Sequence, residues 1–175
     1  FGSGTYRESQ VYLAYLPLSE IKNKSAIRYF AGIKDDKPLW NKSEKDAQPI
    51  FWQSNPKVGE LSVTYNSFID KWILLHNNGD PRGIKLRTAD VPWGPWSDQQ
   101  VLFEPWADKG YCYFMHTNWQ YKKCDYLHDP GRENEWGGEY GPYQFGHFAT
   151  GTDQATTIYF TMSTWNPYDV VMMKA

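Results

Sequence analysis

The sequence has only two cysteines, almost no net charge and no long hydrophobic run. A net charge of −2 provides no basic field to attract phosphate groups, so a nucleic-acid partner is not expected. No apolar stretch approaches the ~20 residues that a helix needs to span a bilayer, so no membrane partner is expected either. Helical periodicity is almost absent, which indicates a β protein.

The chain is instead rich in aromatic side chains and short alternating apolar runs. Aromatic residues make up 18% of the sequence, and tryptophan and tyrosine supply most of them. These two side chains combine a large apolar face with a polar tip, so they suit both sheet packing and stacking on a ligand ring. Gly, Pro, Asn and Asp separate the runs, a pattern typical of strands joined by turns.

The predicted strands fall into a unit that recurs. Residues 60–89 contain strand, turn, aromatic-rich strand, turn and strand, and residues 145–175 repeat this order. A partial copy lies near the start of the chain. The predicted strands are 11–16, 26–33, 61–65, 71–76, 83–89, 101–103, 148–150, 157–162 and 170–174.

The repeat predicts one all-β domain over residues 1–175, built from the four-stranded antiparallel blades of a β-propeller. Propellers close with four or more blades, whereas the repeat supplies about two and a half. The chain is therefore expected to be an incomplete, C-terminal portion of the ring, completed by a second chain or an N-terminal portion. Residues 105–143 are predicted to be a long loop between blades. A β-sandwich is the alternative, and it needs no further portion.

Two features favour a secreted protein. Cys112 and Cys124 flank a Tyr- and Lys-rich stretch, and a disulfide between them would constrain a loop with little core of its own. Two free thiols fit the sequence about as well. Asn23 and Asn41 each begin an Asn-Lys-Ser sequon for N-glycosylation.

Several motifs, in their order and spacing, resemble those of a known family, domain of unknown function 4185. The motifs lie at residues 6–7, 11–14, 59–66, 72–75, 86–89, 93–97, 140–143 and 162–168. The resemblance implies a five-bladed propeller similar to the family 43 type of glycoside hydrolases, of which this chain would be about half. It also implies a link to arabinan, because some members are endo-acting enzymes that cut D-arabinan.

Glu60 is the catalytic candidate. Glycoside cleavage needs two carboxyl groups across the scissile bond, one of them a general acid with a raised pKa. Glu60 follows a glycine at the head of a mostly apolar strand, where burial is expected to raise its pKa. The resemblance implies that the usual base lies on the first blade, outside this chain. The alternative is a structural glutamate that is solvated or paired with Arg87.

The candidates for substrate binding lie near turns and loops. Arg7 and Glu8 precede a strand, where Arg7 could clamp a sugar hydroxyl or only form a surface ion pair. Glu139 and Tyr140 lie in a Gly-rich stretch that a ligand could approach closely, or that simply turns the chain. The resemblance adds Arg87 and His147, and the aromatic candidates for stacking on sugar rings are Trp136, Tyr143, Trp165 and Tyr168.

No cofactor is expected beyond a structural calcium ion. The histidine spacing specifies no metal site. Asp125, Asp129 and Glu133 could bind calcium, although their spacing is not that of an EF-hand, and a solvated acidic loop is the alternative.

These observations predict a protein that acts on carbohydrate. The first hypothesis is a glycoside hydrolase that cleaves an arabinan-like furanoside polysaccharide with two carboxyl groups. The second is a carbohydrate-binding propeller without catalysis, such as a lectin. The third is an interaction or structural protein that uses the blades as a platform.

Overall fold

The fold is all-β, as predicted. The computed structural model describes residues 1–54, 57–77, 79–118, 120, 124 and 126–175. These residues form β-strands and short 3₁₀ helices and no α-helix. Accordingly, the described residues include no helix that is long and apolar enough to cross a bilayer.

The strands are short and form small antiparallel sheets. In chain order they are β1 (Gly2–Ser3), β2 (Val11–Tyr12), β3 (Ala14–Tyr15), β4 (Arg28–Lys34), β5 (Lys37–Asn41), β6 (Leu61–Asn66), β7 (Lys71–Asn77), β8 (Ile84–Ala89), β9 (Gln100–Phe103), β10 (Glu139–Tyr140), β11 (Thr150–Gly151), β12 (Thr156–Thr157), β13 (Tyr159–Thr164) and β14 (Val170–Lys174). The 3₁₀ helices include Leu18–Glu20, Lys24–Ala26, Glu44–Asp46 and Gly146–Phe148.

The largest sheet, called the central sheet here, is the meander β6-β7-β8-β9. The sheet β3-β4-β5 precedes it along the chain and the sheet β10-β13-β14 follows it. The pairs β1-β2 and β11-β12 complete the set. The strand unit predicted from the repeat is therefore present in full in the central sheet.

The turn between β6 and β7 follows from local chemistry. The side chain of Asn66 accepts hydrogen bonds from the backbone N–H groups of Phe68 (3.1 Å) and Ile69 (3.4 Å). Asp70 has a φ of 50°, a left-handed conformation that Asp tolerates better than most residues. The turn reverses the chain and sets the register in which Asn66 opposes Lys71.

Both faces of the central sheet are buried. Successive side chains of β7 point to opposite faces, so the strand contributes to the core on each side. One face packs against the C-terminal sheet and the loop before it, in a cluster of Ile73, Leu75, Ile84, Phe103, Tyr111, Cys112, Met115, Ile158, Phe160 and Met162. The other face packs toward the first sheet, in a cluster of Val11, Leu13, Phe30, Ile50, Val58, Leu74, Ala89 and Trp96. The three sheets are thus stacked face to face.

The four strands predicted over residues 61–103 are confirmed with small shifts of their ends. The single strand predicted at 11–16 is instead two strands, β2 and β3, because Leu13 between them turns into the core at 7% exposure. β5 was missed, since its Pro38 is typical of a turn. Proline is nevertheless tolerated in a strand at a sheet edge, which is where β5 lies.

The first strand of the C-terminal repeat lies earlier than predicted. Residues 148–150 were expected to open this unit, but the strand that pairs with β13 is β10, and Gln144 continues the contact by bridging to Phe160. The other edge of β13 is occupied by β14. Because a strand has only two edges for pairing, Thr150 pairs with β12 in a separate hairpin. β10 also lies within residues 105–143, which were predicted as loop.

The predicted disulfide between Cys112 and Cys124 is present. Cys112 belongs to the core cluster behind the central sheet, and Cys124 packs against that cluster. The carbonyl oxygen of Cys112 also accepts a hydrogen bond from the backbone of Tyr126 at 3.0 Å. The bridge therefore fastens part of the loop before β10 to the core.

Candidate functional site

Glu60 lies at the head of β6, where the backbone is fixed by the end of β7. Gly59 N donates to Asn77 O at 3.1 Å, and Asn77 N donates to Glu60 O at 3.2 Å. A Cβ at Gly59 would lie 2.2 Å from Oδ1 of Asn77, so a larger residue would displace the buried side chain of Asn77. The glycine before Glu60 is therefore needed for this close approach.

The carboxylate of Glu60 is held by two residues from the N-terminal turn. Tyr6 donates its hydroxyl hydrogen to Glu60 Oε1 at 2.8 Å, and Arg7 Nη2 lies 3.6 Å from Oε2. Arg7 has a φ of 58°, and the backbone N–H of Glu8 donates to Thr5 O across the same turn. This turn presents Tyr6 and Arg7 together to Glu60.

The pKa of Glu60 lies below its ordinary value, and the expected raised pKa is wrong. Burial alone would raise it. Hydrogen bonds from its own backbone N–H and from Tyr6, together with the nearby charge of Arg7, outweigh burial and favour the ionised form. Glu60 is therefore a carboxylate at neutral pH, which does not suit a general acid.

Arg87 is not the ionic partner of Glu60. It is 7% exposed, donates from Nη1 to Ser97 O at 2.6 Å and lies 4.5 Å over the ring of Phe51. Arg87 opposes Leu74 on β7, whereas Leu61, next to Glu60, opposes His76. Arg87 thus lies further down the sheet, buried rather than presented to a ligand.

Glu139 is fully buried at the start of β10. Arg82 Nε lies 3.2 Å from its Oε1, and the guanidinium of Arg82 also stacks 4.1 Å from the ring of Trp136. Glu139 Oε2 has no hydrogen-bond partner among the described residues. In this conformation, a buried ion pair with Arg82 takes the place of the predicted substrate contact of Glu139.

The charge of Glu139 acts on two buried neighbours. Burial, together with the negative charge of Glu139, raises the pKa of Tyr111 to about 12. Burial lowers the pKa of Lys85, while Glu139 opposes that shift. We call Arg82, Lys85, Tyr111 and Glu139 the Glu139 cluster. Within this cluster, the positive charges of Arg82 and Lys85 and the negative charge of Glu139 offset one another.

Asn77 connects Glu60 to the Glu139 cluster. Its backbone pairs with Gly59 and Glu60, and its side-chain Nδ2 donates to Glu139 O at 3.1 Å. The sequence did not predict that Tyr6 and Asn77 contact Glu60, or that Arg82 pairs with Glu139. Asn77 lies in a turn-like Asn-rich run, and nothing in the run distinguishes a buried bridge from an ordinary turn residue.

The aromatic candidates fall into separate groups. Tyr140 contacts Trp165 edge to face, and Trp165 lies against Tyr168, with 52% of Trp165 and 57% of Tyr168 exposed. Tyr143 is also exposed. His147 is exposed and packs on Phe148. The preceding Gly146 lies close to Thr64 in the middle of β6.

The remaining predicted residues lie at the surface or in ion pairs. Glu8 is exposed, next to Arg7. Asn23 and Asn41 sit at turns, where their side chains accept from the backbone N–H groups of Ser25 and Ser43. Their glycosylation stays a prediction.

The calcium prediction rests on three residues that the structure places only in part. Asp129 lies 3.6 Å from His116, and Glu133 lies 3.9 Å from His128. Asp125 lies outside the described residues. The part of the chain that the structure describes brings no three His, Cys, Asp or Glu residues together as a metal site.

Comparison with known families agrees with the motif order along the chain. The model of the family described as "Domain of unknown function (DUF4185)" matches residues 1–174. The chain belongs to the DUF4185 family. No match was found among curated proteins. The DUF4185 match covers all of the candidate residues, from Tyr6 and Glu60 to Tyr168.

Acidification is expected to destabilise this DUF4185 chain through His76. The side chain is 1% exposed, and burial lowers its pKa to about 4 from 6.5. Between these two pH values the unfolded chain binds a proton that the folded chain does not. We therefore expect about 3 kcal/mol of stability to be lost as the pH falls from 6.5 to 4.

Urea unfolding at several pH values measures this effect. The lowered pKa of Glu60 adds a loss in the same direction, below pH 4.5. The variant His76→Gln should lack most of the slope above pH 4.5, and His128→Gln, which changes a histidine that is 87% exposed, should retain it. An unchanged slope in His76→Gln would contradict the assignment.

Proposed function

We propose that this chain is part of a glycoside hydrolase-like β-propeller that binds and cleaves an arabinan-like furanoside polysaccharide. The observation that carries the proposal is the ionised carboxylate of Glu60, held by Tyr6 and Arg7 at the head of the first strand of the central sheet. In this proposal Glu60 is the base or nucleophile of the carboxyl pair, and the general acid is a second group.

The stacking of the sheets supports the propeller. The central sheet is covered on both faces, whereas each sheet of a two-layer sandwich covers only one face of the other. Hydrogen bonds also join the central sheet to the segment after β10: Ser62 of β6 donates to Pro142 O, and Gln144 Nε2 donates to Ile73 O of β7 at 3.0 Å. Three stacked sheets are fewer than the four blades of the smallest rings, so a further portion of protein completes the ring in this proposal.

Access to Glu60 fits a ligand that displaces a surface side chain. Glu60 keeps 21% of its side chain exposed, but its Oε2 has less than 1 Å² of exposed surface and lies beside Arg7. Tyr6, which covers Oε1, is itself 61% exposed. In this proposal, the ligand displaces the Tyr6 ring and reaches Oε1 of the carboxylate.

The chain is proposed to work outside the cell. The disulfide between Cys112 and Cys124 is typical of an oxidising compartment. Asn23 is exposed and Asn41 is half-buried, and glycosylation at these two sequons would accompany secretion.

A carbohydrate-binding module without catalysis is the second candidate. The same ion pair favours it, because a carboxylate that is tied to Tyr6 and Arg7 also serves to fix the N-terminal turn. In that case the exposed Tyr140, Trp165 and Tyr168 supply the sugar contacts.

Incubation of the protein with D-arabinan and with debranched L-arabinan tests the proposal. We expect new reducing ends from one of the two polymers and none from a β-glucan control. Binding of an arabinan without release of reducing ends would support the second candidate instead. If the protein neither binds nor cleaves any of these polymers, both candidate functions are overturned.

A further inference from the structure

A cavity of about 420 Å³ lies beside the end of β7. Its walls include Trp52, Gln53, Lys57, His76 and Gln99. His76 opposes Leu61 in the sheet register, so the cavity and Glu60 lie at the same end of the central sheet. A polymer bound at Glu60 would therefore be within reach of this cavity.

The backbone that presents Trp52 is held in place by a buried amide. Gln10 is 6% exposed. Its Nε2 donates to Gln53 O at 2.6 Å, and its Oε1 accepts from Gln53 N at 3.2 Å. The neighbouring Trp52 is 76% exposed, so a large aromatic face stands in solvent on a fixed support. Such a face is suited to stacking on a sugar ring.

His76 supplies a buried hydrogen-bond acceptor. Its Nδ1 lies 3.2 Å from Asn77 O, and a carbonyl oxygen can only accept, so Nδ1 carries the hydrogen. Its Nε2 then holds a lone pair, has less than 1 Å² of exposed surface and has no partner among the described residues. An unused acceptor in a polar cavity calls for a ligand with a hydroxyl or another donor.

The charges of the cavity favour a neutral ligand. Lys57 and Asp80 bring opposite charges to the walls. Gln53 Nε2 and Gln99 Oε1 are 3.5 Å apart, a weak contact that leaves both amides able to donate to and accept from a ligand. The cavity therefore offers donors, acceptors and one aromatic face, with no excess of either charge.

We propose that this cavity is a subsite for one unit of a neutral, hydroxyl-rich ligand, with Trp52 stacked on the ring and His76 Nε2 accepting from a hydroxyl group. That the ligand is a furanoside polymer rests on the proposed function. Binding in the cavity does not depend on cleavage at Glu60.

The test uses arabinan oligosaccharides of increasing length, titrated calorimetrically into the Glu60→Gln protein so that no hydrolysis interferes. We expect Trp52→Ala to weaken binding of the longer oligosaccharides by about 5- to 10-fold, as loss of one stacked ring does. The matched control is Tyr113→Ala, which removes an aromatic ring that is 55% exposed but lies outside the cavity walls. This variant should bind the oligosaccharides with the affinity of its parent.

Nitrogen NMR of the His76 ring separates direct contact from a distant effect. The Nε2 resonance should shift on addition of a long oligosaccharide and not on addition of inorganic phosphate. A shift with phosphate or Zn²⁺ but none with oligosaccharide would overturn the proposal. Equal affinities of Trp52→Ala and its parent would overturn it as well. If Glu60→Gln leaves arabinan hydrolysis intact while Trp52→Ala weakens binding, the proposed catalytic role fails and the subsite stands.

Discussion

We expect the variant Glu60→Gln to hydrolyse arabinan at least 100-fold more slowly than the parent protein and to bind it with unchanged affinity. Removal of one member of an acid–base pair typically costs about 10²- to 10⁴-fold in rate. Gln keeps the shape of Glu and an oxygen that accepts from Tyr6, so the contact at 2.8 Å can persist. Release of reducing ends measures the rate, and calorimetry measures the binding.

The matched control for this variant is Glu44→Gln, which changes an exposed glutamate in a 3₁₀ helix. It should hydrolyse arabinan at the parent rate. Unchanged hydrolysis in Glu60→Gln would exclude Glu60 as the catalytic carboxylate. A large drop in melting temperature would show that the change acts on folding rather than on chemistry.

A second variant distinguishes a base from an acid. Arg7 lowers the pKa of Glu60, so Arg7→Gln should raise it. If Glu60 acts in its ionised form, the acidic limb of the pH–rate profile moves to higher pH. If Glu60 acts as a protonated acid, the basic limb moves instead. The profile therefore reports the protonation state in which Glu60 works.

The variant Glu139→Gln is expected to lower the free energy of unfolding by about 2–3 kcal/mol. Breaking a buried ion pair leaves an uncompensated charge, and here Arg82 and the buried Lys85 both lose their anion. The one-third exposure of Arg82 keeps the cost below that of a fully buried pair. For a chain of this length the melting temperature should fall by roughly 5–10 °C.

Tyr111 provides a spectroscopic readout of the same change. Because Glu139 raises the pKa of Tyr111, removal of its charge should lower that pKa. The control Glu135→Gln alters a glutamate that is 50% exposed and should change stability by less than about 0.5 kcal/mol. Full stability of Glu139→Gln together with weaker arabinan binding would restore Glu139 as a ligand contact.

The strands of the central sheet could be predicted because their signal is local. Alternating apolar residues and turn residues such as Asn66 and Asp70 lie next to one another in the chain. The C-terminal sheet was predicted less well. Its first strand, β10, has only two residues and carries no periodic pattern, so only its pairing with β13 reveals it.

The ionic partner of Glu60 depended on register rather than on residue type. Arg7 and Arg87 are both arginines that the sequence allows near Glu60. Arg87 is level with Val63 in the sheet, three residues and roughly 10 Å along the strand from Glu60. Arg7 is 53 positions away in the sequence, yet the N-terminal turn places it beside Glu60.

The sequence by itself determined the all-β class, the repeating unit and the choice of Glu60 as a residue of interest, and it left the pairing of the two cysteines open. These follow from local alternation, turn chemistry and composition. Only the tertiary structure decided that Glu60 is ionised and that Glu139 is buried. A pKa and a burial depend on the groups that surround a side chain, and for both residues those groups come from distant parts of the chain, Tyr6 and Arg7 for Glu60 and Arg82 for Glu139.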